Sequence, residues 1–458
     1  MRVRQPYDGE LIAEVPVDSE AEVDAKLETA AQLFSTRENW LPAWQRIEIL
    51  RRLARLVDND RDQLAVLIAR EGGKPLADAK AEVSRAVNGI DGAASHLEHL
   101  AGSEIPMGLT PASANRWAFT TKEPIGPVVA ISAFNHPLNL IVHQVVPAIA
   151  TGCPVLVKPA SATPLSCLHF VRLAHQAGLP DPWCQAVMLD DNVLAQKLAT
   201  DSRVAFLSFI GSAKVGWSLR SQLAPGTRVA LEHGGAAPVI IHQSADLDGL
   251  IEPLAKGGYY HAGQVCVSVQ RIFVDEHLKH AFLERFCERV RRLVIGDPRR
   301  LDTEVGPLIA RREVERVHEW VTQARADGAV VALGGRRLGE RLYEPTVLVE
   351  PRTESLVSTS EIFGPVTCVY GFNDLSDAIR RANSLPFAFQ ASIFSRDVDA
   401  ALFTARHLEA SAVMVNDHTA FRTDWMPFAG HRRSGYGTGG IPHTMHDMLH
   451  DKMIVLRY

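Results

Sequence analysis

Apolar and polar residues follow two rhythms along this chain. Between residues 18 and 105 the apolar positions recur at helical spacing. Ile47, Leu50, Leu53, Ala54 and Val57 make one stripe, and Arg51, Arg52 and Arg55 fall on the other face. This stretch is expected to be mostly helical, with the stripe on a core and the arginines solvated. From residue 116 the rhythm shortens. Residues 116–122 alternate like a strand, and β-rich runs follow at 128–132, 154–158, 204–209 and 238–241. Helix-compatible segments at 140–150 and 164–177 lie between some of them. Strand, helix, strand with continuously apolar strands predicts a parallel α/β sheet.

A second α/β series follows, with strands expected at 269–274, 346–349, 366–372, 391–394 and 412–416 and helices at 277–294, 374–383 and 397–407. The tail 452–457 (KMIVLR) reads as a last apolar strand, which needs a partner in its own sheet or in another subunit. No repeat, low-complexity tract or Gly/Ser linker separates the two series. They are expected to pack together, with a cleft between them as the place for chemistry.

Composition narrows the function. The 458 residues suggest two to three domains at ~150 residues each. Lys+Arg 48 against Asp+Glu 53 leaves a net charge of −5, which gives no basic field for nucleic acid. The start, MRVRQPYDGELIAEV, has no apolar signal-peptide region, and no run reaches ~18 apolar residues. The six cysteines have no CxxC spacing and there is no Asn-x-Ser/Thr sequon. These features fit a reducing cytoplasm, and no membrane partner is expected.

Several motifs fail. The only GxGxxG, Gly435-x-Gly437-x-x-Gly440, has too little chain after it for a βαβ unit and reads as a flexible loop. Gly211-Ser-Ala-Lys-Val-Gly216 has P-loop glycine spacing, but Trp217 stands where the phosphate-binding lysine is needed. HExxH is absent, and His96, Glu98 and His99 read as a solvated helix face; no metal site is expected.

Other motifs hold together. They are Ala133-Phe-Asn-His-Pro137, Leu156-Val-Lys-Pro-Ala-Ser161, Phe209-Ile-Gly-Ser212, Leu231-Glu-His-Gly-Gly235, Gly263-Gln-Val-Cys266, Glu361-Ile-Phe-Gly-Pro365 and Pro427-Phe-Ala-Gly430. In this order, spread over nearly the whole chain, they resemble the aldehyde dehydrogenase superfamily. The resemblance implies a modified Rossmann cofactor domain (1–111 and 124–231), an α/β catalytic domain (232–442) and a small bridging, oligomerisation sheet (112–123 and 443–458). A homodimer or homotetramer is then expected.

Aldehyde oxidation needs a tetrahedral centre that can expel hydride, and a thiolate adding to the carbonyl makes one. Cys266, the only cysteine in a Gly-Gln-x-Cys turn before a strand, resembles the family nucleophile; the other five read as inert buried thiols. Asn135 resembles the oxyanion donor, acting with the Cys266 N–H; the alternative is a cap on the helix opening near Pro137. Glu232 resembles the general base for thioester hydrolysis. His233, where relatives often carry Leu or Met, has no assigned role.

For the cofactor, NADP or NAD, the resemblance implies Ser132, Phe134, Lys158, Ser161, Gly211, Ser212, Gly216, Glu361 and Phe363. Gly211-Ser212 opens a helix whose N-terminus suits a pyrophosphate. Lys158 would bond the adenosine ribose, and Glu361 with Phe363 would hold the nicotinamide ribose. Ser161 replaces the Glu of NAD-selective relatives, removes a repulsion from a 2′-phosphate and offers a hydroxyl donor, so NADP acceptance is expected. His136, His418 and Arg422 suggest a small polar or anionic aldehyde, similar to the lactaldehyde, succinate-semialdehyde and phosphonoacetaldehyde branch. Val265, where an Arg would suit a phosphonate, argues against the last. The alternatives are an acylating, coenzyme A-dependent form, which usually lacks the base, and a non-catalytic structural member of the fold. Glu232 argues against the first; Cys266, Glu232 and Asn135 together argue against the second.

Overall fold

The computed structural model describes residues 1–458. The first third is helical, as the periodicity predicts: Glu20–Ser35, Ala43–Asn59, Arg61–Gly72 and Leu76–His96. In Ala43–Asn59 the stripe turns inward, with Leu50, Leu53, Ala54 and Val57 buried and Ile47 only half-buried, while Arg51, Arg52 and Arg55 are exposed. The last three helices pack on one face of a six-stranded sheet through a core shared by Ile49, Val83, Ile141 and Val145, and Glu20–Ser35 packs Val23, Leu27 and Ala30 on the other face against Val129 and Leu156.

That sheet runs in the order Gly435–Tyr436, Arg228–Glu232, Phe206–Ile210, Val128–Ile131, Val155–Lys158, Cys184–Ala186. All neighbours are parallel except the first pair. Gly435–Tyr436 corrects the expectation of a flexible loop: Gly435 pairs with Glu232 and Tyr436 with Leu231. A Cβ on Gly435 would fall 2.3 Å from the Leu231 carbonyl oxygen, so glycine lets the returning chain close on this edge.

The second sheet has seven strands in the order Val330–Leu333, Thr346–Val349, Val366–Phe372, Val269–Asp275, Ala237–Ile241, Gln390–Phe394, Ala412–Val415. It is parallel except for its antiparallel first pair. Its core is separate, built on Tyr259, Phe282, Phe286 and the strand interiors. A three-stranded antiparallel sheet completes the chain. Leu449–Arg457 pairs with Arg116–Pro124 over nine residue pairs, from Leu449↔Pro124 to Arg457↔Arg116. Met453, Val455 and Leu456 stay exposed on this terminal strand, as does Trp117 opposite Leu456. His96, expected on a solvated face, is instead half-buried, with its ring 5.5 Å from that of His446.

Candidate active site

The strand ends of the two large sheets face a common cleft, which holds a cavity of about 830 Å³. Cys266 is the only one of the six cysteines on its wall. The other five are buried and Cys266 is half-buried.

The turn carrying Cys266 is strained. His261, Ala262 and Gly263 have φ of 48°, 55° and 71°, so two residues with side chains occupy the left-handed region. Only glycine fits at 263, because a Cβ there would lie 2.2 Å from the Gly364 carbonyl oxygen. Gln264 pins the turn. Its side-chain amide donates to Pro307 O at 3.3 Å and its Oε1 accepts from Ile309 N at 2.9 Å. The Gly-Gln-x-Cys sequence thus has a physical content: a glycine for close approach and a glutamine as anchor.

Asn135 is buried and its Nδ2 donates to the Gln264 carbonyl at 3.0 Å. One amide N–H remains free on the cavity wall that Cys266 also lines, and the Cys266 N–H donates to no other backbone group. Asn135 is not a helix cap. The helix Asn139–Thr151 is capped by Glu82, whose Oε1 accepts from Leu138 N at 2.9 Å and Asn139 N at 3.0 Å. Glu82 is itself buried and paired with Lys74.

Glu232 ends the strand Arg228–Glu232 and enters the cavity wall. Burial raises its carboxyl above the usual range, while Arg422 and Arg85 pull it back. The Cys266 thiol is pushed well above its ordinary value, first by burial and then by Glu232, with Arg422 opposing. The resting site is a protonated thiol beside a carboxyl of raised basicity and a guanidinium.

One arm of the cavity is lined by Ser132, Phe134, Gly211, Ser212, Glu361 and Phe363. The Phe134 and Phe363 rings meet edge to face, 5.8 Å apart. Gly211-Ser212 precedes the helix Ala213–Arg220, with Ser212 at its N-cap. Three buried polar atoms along this arm have no hydrogen-bond partner: Ser132 Oγ, His233 Nε2 and Glu361 Oε1. Burial pushes the Glu361 carboxyl up to about 8. It sits over Gly234, where a Cβ would fall 1.6 Å from Oε1. His233, unassigned from sequence, donates from Nδ1 to Gly211 O at 2.8 Å and fills the space left by Gly216.

Gly216, Lys158 and Ser161 are not on the cavity wall. Gly216 is buried against His233, where a Cβ would fall 2.1 Å from Cε1. Lys158 is half-buried at its strand end, with Nζ donating to Pro159 O at 3.2 Å. Ser161 is exposed and its hydroxyl donates to Leu189 O at 3.1 Å. A hydroxyl rotates to suit its partner, and Ser161 brings no carboxylate that would repel a 2′-phosphate.

The other arm carries His136, His418 and Arg422. His136 is buried, and its Nε2 shares a hydrogen bond of 3.0 Å with the Tyr260 hydroxyl. Burial and the nearby Lys74 hold it well below its ordinary value, so it is neutral. His418 is half-buried, with Nδ1 accepting from Ala420 N at 3.1 Å. Arg422 stacks on Phe428, its guanidinium carbon 3.5 Å from the ring centre. Arg85, which no motif singles out, shares this wall; its Nη2 donates to Asp424 Oδ1 at 2.8 Å. No local signal marks it, because it sits on a helix that reads as ordinary amphipathic surface.

A sequence model of the Aldehyde dehydrogenase family matches residues 1–454. The chain belongs to the aldehyde dehydrogenase family. Among similar members is a 3-sulfolactaldehyde dehydrogenase of Priestia aryabhattai, 34% identical over 456 residues, covering 100% of this chain and 94% of that protein. A solved aldehyde dehydrogenase of Physcomitrella patens, in complex with the reaction product succinate, superposes with a TM-score of 0.96. It is 33% identical and covers 100% of this chain and 95% of its own. A glyceraldehyde-3-phosphate dehydrogenase of Methanocaldococcus jannaschii, complexed with NADP, gives a TM-score of 0.95. It is 34% identical, with coverage of 100% and 99%. The expected fold class therefore stands: this is an α/β protein of the aldehyde dehydrogenase type.

Proposed function

We propose that this family member oxidises a small polar or anionic aldehyde to its carboxylate with NADP or NAD, through a thioester on Cys266. The observation that carries the reading is the convergence of Cys266, the free N–H of Asn135 and Glu232 on one cavity. Those three groups come from three different elements and supply nucleophile, oxyanion donor and base.

Glu232 draws the proton from Cys266 Sγ, directly or through one water. The thiolate adds to the carbonyl carbon, and the C=O electron pair moves to oxygen. Asn135 Nδ2–H and Cys266 N–H hold that oxyanion. When the C–O bond re-forms its double bond, hydride is expelled, and bound NAD(P) supplies its acceptor. Glu232 releases the thiol proton to solvent and, ionised again, takes a proton from water. The hydroxide adds to the thioester carbon, thiolate leaves, and the carboxylate product departs.

Ser132, Ser212 and Glu361 fit such a cofactor through their place on the wall and the buried unpartnered oxygens of Ser132 and Glu361. Lys158 and Ser161 would meet the adenosine ribose end, outside the cavity wall. Arg422 and Arg85 favour an aldehyde with a carboxylate or sulfonate end, as the names of the relatives suggest. His136 and His418 would contact its polar groups. In domain terms, residues 1–111 and 124–231 would bind the cofactor and 232–442 carry the nucleophile. The segments 112–123 and 443–458 would join subunits through the exposed apolar strand as a homodimer or homotetramer. No helix is long and apolar enough to cross a membrane, and six free cysteines fit a cytoplasmic protein.

The test is NAD(P)H absorbance across a panel of small aldehydes, with and without coenzyme A. The proposal expects turnover without coenzyme A and a preference for polar or anionic aldehydes. Turnover only with coenzyme A would assign an acylating enzyme, and none with any aldehyde a structural protein.

A further inference from the structure

Arg422 reaches the cleft at the end of a buried chain of polar contacts. Asp424, two residues on, is 4% exposed and accepts four hydrogen bonds. Two come from Arg85, at 2.8 Å from Nη2 and 3.4 Å from Nε. One comes from Asn139 Nδ2 at 3.1 Å and one from His143 Nε2 at 2.8 Å. On the other side of the imidazole, His143 Nδ1 lies 3.2 Å from Arg422 Nη2.

These partners fix the tautomer. A guanidinium can only donate, so Nδ1 must be the bare nitrogen; a carboxylate can only accept, so Nε2 must carry the hydrogen. A doubly protonated ring would turn an N–H against Arg422. Burial and Arg422 keep His143 neutral, down at about 4. The only other contact holding the Arg422 guanidinium is the Phe428 face, which fixes its plane but not its rotation within that plane. Its Nε is buried with no partner. The directional restraint on Arg422 is therefore the single bond to His143.

We infer that His143, oriented by Asp424, is a positioning residue that sets substrate preference by aiming Arg422 at the anionic end of the aldehyde. The inference rests on the reading of Arg422 above. Asp424 would anchor both cationic groups of that wall, Arg85 directly and Arg422 through the imidazole. Substrate contact stays with the arginines.

The test is steady-state kinetics with succinic semialdehyde and propanal. The variants are Arg422→Ala, His143→Phe, His143→Asn and His143→Gln, with cofactor binding checked by fluorescence. The glutamine can accept from Arg422 through Oε1 and donate to Asp424 through Nε2; phenylalanine can do neither. His143→Phe should lower the succinic semialdehyde to propanal ratio of kcat/KM by roughly tenfold, the loss of one directed charge-assisted bond. The change should lie in KM, and His143→Gln should recover most of it. His143→Asn, shorter by one methylene, should behave like His143→Phe and serves if the latter does not fold. A ratio unchanged in both non-rescuing variants, while Arg422→Ala lowers it, overturns the positioning role alone. A ratio unchanged in Arg422→Ala overturns the anion reading itself. A fall in His143→Gln equal to that in His143→Phe marks a packing role and also overturns the inference.

Discussion

The Glu361 carboxyl is pushed up to about 8 from an ordinary value of 4.5, because burial outweighs what the Gly235 N–H and Arg316 offer it. Between those two values the folded protein holds a proton that the unfolded chain has lost. Stability must then fall as pH rises through this window, and stop falling above about 8. At 1.36 kcal/mol per pH unit the whole interval corresponds to roughly 5 kcal/mol. That figure is an upper bound, since the ionised side chain is free to turn toward water in the cleft. Glu361→Gln has no proton to lose. The variant should melt close to wild type near pH 5 and several degrees above it near pH 8.5. Glu71, raised to about 7 by its own burial, titrates in both proteins and cancels in the difference. The same carboxyl should couple to cofactor binding. Ribose hydroxyls donate to a carboxylate and favour its ionised form, so binding near pH 7 should release up to roughly 0.9 proton. Calorimetry of NADP binding in buffers of different ionisation enthalpy reads that number directly, and Glu361→Gln should abolish it. A melting difference independent of pH, together with no proton release, would refute the reasoning.

Three further outcomes are expected. Asn135→Ala should lower kcat by ~10²–10³, the loss of one oxyanion donor, with cofactor affinity unchanged; a drop below threefold in steady-state assays would remove Asn135 from the oxyanion site. Ser161→Glu should weaken NADP against NAD by at least tenfold in kcat/KM, about 1.4 kcal/mol, through repulsion of a 2′-phosphate; an unchanged ratio would place that phosphate elsewhere. Arg422→Ala should raise KM for succinic semialdehyde far more than for propanal. It should also move the acid limb of the propanal pH profile upward, because Glu232 loses the charge that most offsets its burial; an unmoved limb and equal KM changes would contradict both roles.

The sequence made the chemistry legible where one short segment carries both the reactive group and the turn that presents it. Gly263-Gln-Val-Cys266 is such a segment: the glycine's close approach and the glutamine's anchoring are local needs. The parallel strands were legible for a similar reason, since burial on both faces writes itself as an apolar run. What pairs distant segments was not. Arg85 and Asp424 meet across 339 residues, and Glu82 caps a helix that begins 57 residues later. The helix Arg311–Ala326 goes unassigned from the pattern because charges dominate it. Yet Val314, Val317, Val321 and Ala324 are buried at helical spacing. Gly435-x-Gly437-x-x-Gly440 reads as loop because glycine advertises freedom, whereas here it permits an edge strand to close on Glu232. At Ser161 the hydroxyl was legible but its partner, Leu189 O, was not.

The central claim is that oxidation passes through a thioester on Cys266 which Glu232 helps to hydrolyse. The most direct measurement is rapid mixing of Glu232→Gln with NADP and an accepted aldehyde, followed by acid quench and peptide mass spectrometry. Hydride transfer needs no deacylating water, so a burst of about one NADPH per site should precede a steady state slowed by ~10²–10⁴. The quenched enzyme should carry the acyl mass on the Cys266 peptide, and Cys266→Ala should give neither burst nor adduct. A burst without an adduct, an adduct on another residue, or undiminished turnover in Cys266→Ala would contradict the account.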